Sequence, residues 1–284
     1  MNTDLKGTVY FLWPNTSTPG WPQYYIPTMI NAFKKYLPNM VLVQQSANDS
    51  QPTQLGQVEA AIANKATAVI LSPPVPTQAG GELQALAAAH IPAIAYNNDP
   101  IGGPVFAYVW VNYTAVGKYW GGYLKDNLVK DVGHTPVQLV EVLGDPTFDV
   151  YRRWLLGIDP VVQPLVQNGQ VQIACKFDTT GWVPATAQTQ MEQCLTKAPK
   201  GVDAVVAMND STSDGAAAAL AGAGLLGKVK FYGGHDGDLQ VIQRILAGQQ
   251  VGTFHADGVQ AGTSAAALVQ AALTGKTAQS TGFI

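Results

Sequence analysis

Residues 66–74, ATAVILSPP, and residues 202–210, VDAVVAMND, decide the fold, because they are one structural unit written twice. Each is a short run suited to a buried strand that ends in a polar or proline cluster. Residues 91–99, IPAIAYNND, and residues 228–236, KVKFYGGHD, repeat the relationship. Working outward, β-type runs lie at Thr8–Trp13, Met40–Gln44, Ala68–Leu71 and Ala93–Tyr96. Four more follow in the same order, at Val137–Val142, Val171–Cys175, Ala204–Ala207 and Val229–Tyr232. Helical stretches alternate with them, and Gly and Pro punctuate the joins. A βα unit repeated in this way predicts an α/β protein of two similar Rossmann-like lobes, each on a parallel sheet. Ligands of such sheets gather beyond the carboxyl ends of the strands. Those ends carry WPNTS, QQSAND, SPPVP and YNND in the first half, and LGDPT, CKFDTTGW, MND and GGHDG in the second.

A fifth run in each half has a different task. Val105–Val111 leads into TAVGKYWGGYLKDNLVK, and Val251–Phe254 leads into VQAGTSAAALVQAALTGK. Each is read as a crossover whose following helix packs on the opposite lobe. Residues 1–110 with 257–284 then form the N-terminal lobe, and 111–256 the C-terminal lobe. Paired crossovers form a multi-strand hinge, suited to closing an interlobe cleft around a small polar molecule.

Composition narrows the classes. The 284 residues are 47% hydrophobic and only 12% charged, with a formal net charge of −3. Lys and Arg are too few for phosphate neutralisation, so nucleic acid is not an expected partner. No apolar run reaches the length of a membrane span. The opening MNTDLKGTVYF runs almost directly into the first strand without a signal peptide, and we read the sequence as trimmed. The two cysteines, Cys175 and Cys194, end a strand and sit on the following helix. They are read either as a disulfide, which implies an oxidising compartment, or as two buried thiols.

With these segments in place, the chain resembles the type I periplasmic sugar-binding proteins of bacterial ABC transporters, the ribose-, galactose- and xylose-binding group. It looks most similar to the xylose-binding branch. The matching segments are VQQSANDSQPTQLGQVEAAIA, IPAIAYNND, TTGWVPATAQTQME, VDAVVAMNDSTSDGAAAAL and GLLGKVKFYGGHDGDLQVIQRILAGQ, in order along the whole chain. One departure is the C-terminus, where the family adds a short strand and this chain stops at STGFI. The resemblance implies a periplasmic or membrane-anchored extracellular receptor, monomeric, that delivers a sugar to a membrane permease. It implies no cofactor and no metal.

A sugar presents hydroxyls at its ring edge and C–H patches on its faces, so Asn, Asp and Arg are expected at the rim and a flat aromatic against a face. By resemblance, Trp182 is the stacking aromatic of the second lobe and Trp21 that of the first, with Trp13, Tyr24 and Tyr25 as weaker candidates. Asn209 and Asp236 are expected to contact ligand hydroxyls; neighbouring Asp210 is read as a helix N-cap. Arg152 stands five residues before Gly157, the family's spacing for a sugar-binding arginine, with Arg153 and Asp149 as alternatives. Asn15 and His255 complete the candidates. Pentose-binding relatives carry Asp-Arg where this chain has Asn97 and Asn98, and the family often places Lys or Gln where this chain has Ala256, flanked by His255 and Asp257. Losing charge-assisted hydrogen bonds points to a neutral ligand other than the relatives' usual pentose, such as another monosaccharide or a sugar alcohol.

Catalysis finds no support: there is no nucleophile elbow, metal-ligand spacing or paired carboxylate set. His90 and His134 are read as surface residues and His235 as near the cleft. The G-x-G-x-x-G at Gly222–Gly227 follows a helix and precedes a strand, the reverse of a dinucleotide site. The alternative kept open is the effector-binding core of a sugar-responsive repressor without its DNA-binding head.

Overall fold

A computed structural model describes residues 4–16, 20–255 and 257–278. The chain divides into two compact units. Unit 1 holds residues up to Val111, Thr147–Asp149 and the segment from Asp257 onward; unit 2 holds Asn112–Pro146 and Val150–Ala256.

Unit 1 is built on five parallel strands: β1 (Gly7–Trp13), β2 (Met40–Ser46), β3 (Ala68–Leu71), β4 (Ala93–Tyr96) and β5 (Ala107–Val109). Their order is β2-β1-β3-β4-β5. The chain reverses its direction of winding between β1 and β3, so the loops after these strands diverge and leave a crevice at their carboxyl ends. Helices α1 (Ile26–Tyr36), α2 (Gln51–Ala63) and α3 (Gly80–Ala88) link the strands. Strands β3 and β4 are buried at every position, which is why they read as unbroken apolar runs. Edge strand β2 has polar, half-buried residues at its end and extends to Ser46, two residues beyond the expected Gln44.

Unit 2 begins with α4 (Tyr113–Val132). It continues through β6 (Val137–Leu143), α5 (Asp149–Gln167), β7 (Val171–Asp178), α6 (Pro184–Lys197), β8 (Ala204–Ala207), α7 (Asp210–Gly222) and β9 (Lys230–Gly233). The sheet is parallel, in the order β7-β6-β8-β9. Gly233 and Gly234, both at positive φ, turn the chain into β10 (His235–Asp236), which precedes α8 (Leu239–Leu246) and pairs in parallel with β11 (Phe254–His255). The last helix, α9 (Gly258–Leu273), returns to unit 1 and packs on α1, β4 and β5.

The crossover runs are shorter than expected. Only Ala107–Val109 of 105–111 and Phe254 of 251–254 are strand. Their flanks are tied by single hydrogen bonds, such as Phe106 N to Ala93 O and Val251 N to Phe231 O, rather than by a continued ladder. Close helix contacts set the rest of the layer. A Cβ on Gly117 would overlap the carbonyl of Trp154, and one on Gly157 that of Thr114, so α4 and α5 meet backbone to backbone. Gly215 serves α6 and α7 in the same way, against the Pro184 carbonyl. Cys175 of β7 and Cys194 of α6 are joined by a disulfide, their Cα atoms 6.1 Å apart.

Candidate functional site

Each unit gathers its candidate residues at the carboxyl ends of its strands, as two separate rims. In unit 1, β1 ends at Trp13 and the chain passes Asn15, whose Nδ2 donates to Asp49 Oδ1 at 2.6 Å. The segment Trp21–Tyr25 forms a π-helical turn, a geometry frequent at functional sites. It carries Trp21 into an aromatic cluster with Phe11, Tyr25 and Tyr96, with centroid separations of 5.4 to 6.3 Å. Trp21 is buried, 4% exposed, so it forms part of a wall rather than a free plate. Tyr24 instead accepts the Gly258 N–H on its hydroxyl at 3.1 Å and so fixes the start of α9. Two buried donors in this rim, Trp13 Nε1 and Tyr96 Oη, have no hydrogen-bond partner. Tyr96 was not singled out in the sequence, because an aromatic inside a strand reads as core.

After β4, Asn97 sits at φ +60°, a left-handed conformation that Asn tolerates better than most residues. Asn98 is buried and donates from Nδ2 to the Pro73 carbonyl at 2.8 Å, tying the β4 loop to the β3 loop. Its side chain therefore braces the rim, and Asn97 is the more exposed of the two.

In unit 2, β6 is followed by Gly144 and Asp145. A Cβ on Gly144 would fall inside the six-membered ring of Trp182, so the indole lies directly on the Gly144 backbone. Asp145, buried, accepts the Gly181 N–H at 2.7 Å and pins the loop that carries the ring. Trp182 itself adopts φ +60°, an uncommon conformation for a bulky residue, held by this loop rather than by local preference. The result is a half-buried, flat apolar plate at the end of β6.

Adjacent strand β8 ends at Ala207, and Asn209 follows it. Asn209, not Asp210, is the N-cap of α7: its Oδ1 accepts the Thr212 N–H at 3.0 Å in a capping box. That corrects the sequence reading, and the physical reason is register, since Asp210 already has helical geometry as the first residue of α7. Capping consumes only Oδ1, and Nδ2 reaches Asp236 Oδ2 at 3.4 Å. Asp236 lies at φ +123° on β10, partly exposed. His255 on β11 is exposed, with Nδ1 3.3 Å from the Asp236 carbonyl. His235 is buried and packs on Tyr113 with ring centroids 5.0 Å apart. Burial holds its pKa down to about 4, so the ring is neutral, and Nδ1 donates to the Met208 carbonyl at 2.8 Å.

Helix α5 begins at Asp149, which is half-buried. Arg152 is exposed and borders an open groove of about 700 Å³ along α5 with Tyr151, Leu155, Asp159 and Pro160. Arg153 is half-buried. Ala256 and the terminal STGFI, the sites of two expected departures from the family, lie outside the described residues. Among the described residues no group of three or more His, Cys, Asp or Glu is arranged to hold a metal ion. No described helix is long and apolar enough to cross a membrane.

Comparison with known proteins gives the family. A family model described as a periplasmic binding protein domain matches residues 9–277. The D-xylose-binding periplasmic protein of Escherichia coli (strain K12) is 30% identical over 215 residues, covering 74% of this chain and 62% of that protein. The multiple sugar-binding periplasmic protein SbpA of Azospirillum brasilense is 28% identical over 246 residues, covering 82% and 69%. The alignments to the xylose-binding relatives thus span less than two thirds of those proteins' length. Among solved structures, an ABC transporter solute-binding protein from Clostridium phytofermentans with bound β-D-glucose superposes with a TM-score of 0.86 at 23% identity. That match covers 98% of this chain and 88% of the other.

Proposed function

The chain belongs to the periplasmic binding protein family, and from that premise we propose that it is the solute-binding component of an ABC transporter, taking a neutral monosaccharide or sugar alcohol. One observation carries the reading. In unit 2 a flat indole rests on the end of β6, and an Asn–Asp pair stands at the ends of β8 and β10. An aromatic plate suits the C–H face of a sugar ring, and Asn209 with Asp236 suits its hydroxyl edge. Unit 1 adds an aromatic wall with two unpartnered buried donors, and Asn97. A ligand that binds one conformation of the receptor better than another shifts the population toward it.

The relatives are periplasmic sugar receptors, which favours this function over a repressor's effector core. Periplasmic placement also suits the Cys175–Cys194 disulfide. In this proposal the receptor is a monomer that binds no nucleic acid and needs no cofactor. The neutral Asn97–Asn98 pair argues for a ligand other than D-xylose, and submicromolar xylose binding would overturn that part.

The experiment is a thermal-shift panel of pentoses, hexoses, deoxysugars, inositols and sugar alcohols on protein refolded after exhaustive dialysis, followed by calorimetry. A ligand at 100 times its Kd adds about 2.7 kcal/mol. For units of this size that is a rise of roughly 5–10 °C in Tm. A stereospecific hit that is weakened by Asp236→Ala supports the reading. Silence across the panel on refolded protein refutes it.

A further inference from the structure

Asp210 is the residue that local reading misassigned, and its surroundings give it a different task. Its side chain is fully buried, 0% exposed, although it sits beside Asn209 at the end of β8. Oδ2 accepts the backbone N–H groups of both Gly237 and Asp238, each at 2.8 Å. Oδ1 accepts the Thr253 hydroxyl at 2.6 Å. The first two groups directly follow Asp236 on β10, and Thr253 directly precedes Phe254 and His255 on β11. One carboxyl group therefore holds both strands of a sheet only two residues long on each side. Gly234 completes the seat, since a Cβ there would overlap Asp210 Oδ1.

So short a ladder has little stability of its own. Asp236 is also held at φ +123°, where an L-residue is strained. Something outside the ladder must hold that conformation, and the Asp210 carboxyl group is bonded to the two residues that follow it.

We propose that Asp210 is a positioning residue for ligand binding, which sets the placement of Asp236 and His255 through the β10–β11 pair without touching ligand itself. The proposal rests on the sugar-receptor reading above. Three hydrogen bonds define the role, two accepted from backbone N–H groups and one shared with the Thr253 hydroxyl, and the carboxyl need not be charged to fill it. Burial raises its pKa to about 7, with Asp238 as the neighbouring acid that pushes it the same way. A protonated Asp210, like an Asn, keeps one oxygen for Gly237 and Asp238 and turns a donor toward the Thr253 hydroxyl.

The test compares Asp210→Ala with Asp210→Asn, with two readouts. In calorimetry with whichever panel sugar binds the wild type, Asp210→Ala should weaken binding at least tenfold, and Asp210→Asn should stay within about threefold. Without any sugar, amide hydrogen exchange at Gly237, Asp238 and Phe254 should quicken at least tenfold in Asp210→Ala, with β8 amides such as Val206 unchanged. Equal affinity loss in the two variants, or unchanged affinity in the alanine variant, would overturn the role. So would quickened exchange spread across all of unit 2, the mark of a merely structural residue. If no panel sugar binds the wild type, the receptor reading fails, while the exchange experiment still decides whether Asp210 holds the β10–β11 pair.

Discussion

At the scale of single residues, unit 2 builds its rim by giving up side chains where rings and loops must meet. Gly144 lets the Trp182 indole lie on the backbone, and Asp145 fixes the loop behind it. Gly144→Ala should therefore tip the ring out of place while leaving Trp182 present. If Trp182 supplies the stacking face, this variant and Trp182→Ala should each weaken sugar binding on the order of tenfold, about 1.4 kcal/mol. Calorimetry with the sugar that binds the wild type checks both, and Gly144→Ala with full affinity would sink the stacking role. The placement of Trp182, Asn209 and Asp236 was legible in the sequence, because all three follow β-type runs. The role of Asp210 was not. Its partners lie 27, 28 and 43 residues away, and a helix-start pattern of a few residues carries no trace of them.

At the scale of elements, a strand declares itself in sequence according to how it is buried. Ala68–Leu71, Ala93–Tyr96 and Ala204–Ala207 lie inside their sheets, so four apolar residues mark each one and its limits are as expected. Edge strand β7 runs on to Asp178, past the expected Cys175, because its last residues alternate between half-buried and exposed and include Lys176 and Asp178. Lys176 still has a structural partner, Glu141 of β6, at 2.8 Å. The same edge strand is stapled to α6 by Cys175 and Cys194, which are separated by 19 residues. A loop of that size removes roughly 3 kcal/mol of unfolded-chain entropy. The Cys175→Ser, Cys194→Ser variant should thus lose about 2–3 kcal/mol in urea denaturation. Unchanged stability would show that the bridge does not restrain the chain.

At the scale of the whole molecule, three buried acids make stability depend on pH in an unusual direction. Glu82, 1% exposed, accepts the Gln51 amide at 2.7 Å on one oxygen and has no partner on the other. Burial raises its pKa to about 8. Asp210 is raised to about 7 and Asp238 to about 6, burial being the first cause in both. Each keeps its proton in the folded protein at pH values where the unfolded chain has lost it. The folded state then holds more protons, and stability falls as pH rises, by up to about 1.4 kcal/mol per pH unit for each group. His235 works the other way, because its pKa is depressed to about 4 and its share is lost as pH falls from about 6.5. One histidine does not offset three acids, so urea midpoints should fall steadily from pH 5 to pH 8. Glu82→Gln keeps an oxygen for the Gln51 amide and cannot ionise. Its unfolding free energy should match that of the wild type near pH 5 and exceed it at pH 8 by roughly 2 kcal/mol or more. Parallel curves for the two proteins across that range would mean that Glu82 ionises in the folded state much as it does in water. The unpartnered oxygen would then be solvated, and the interior around α2 and α3 would be wetter than its side-chain burial implies.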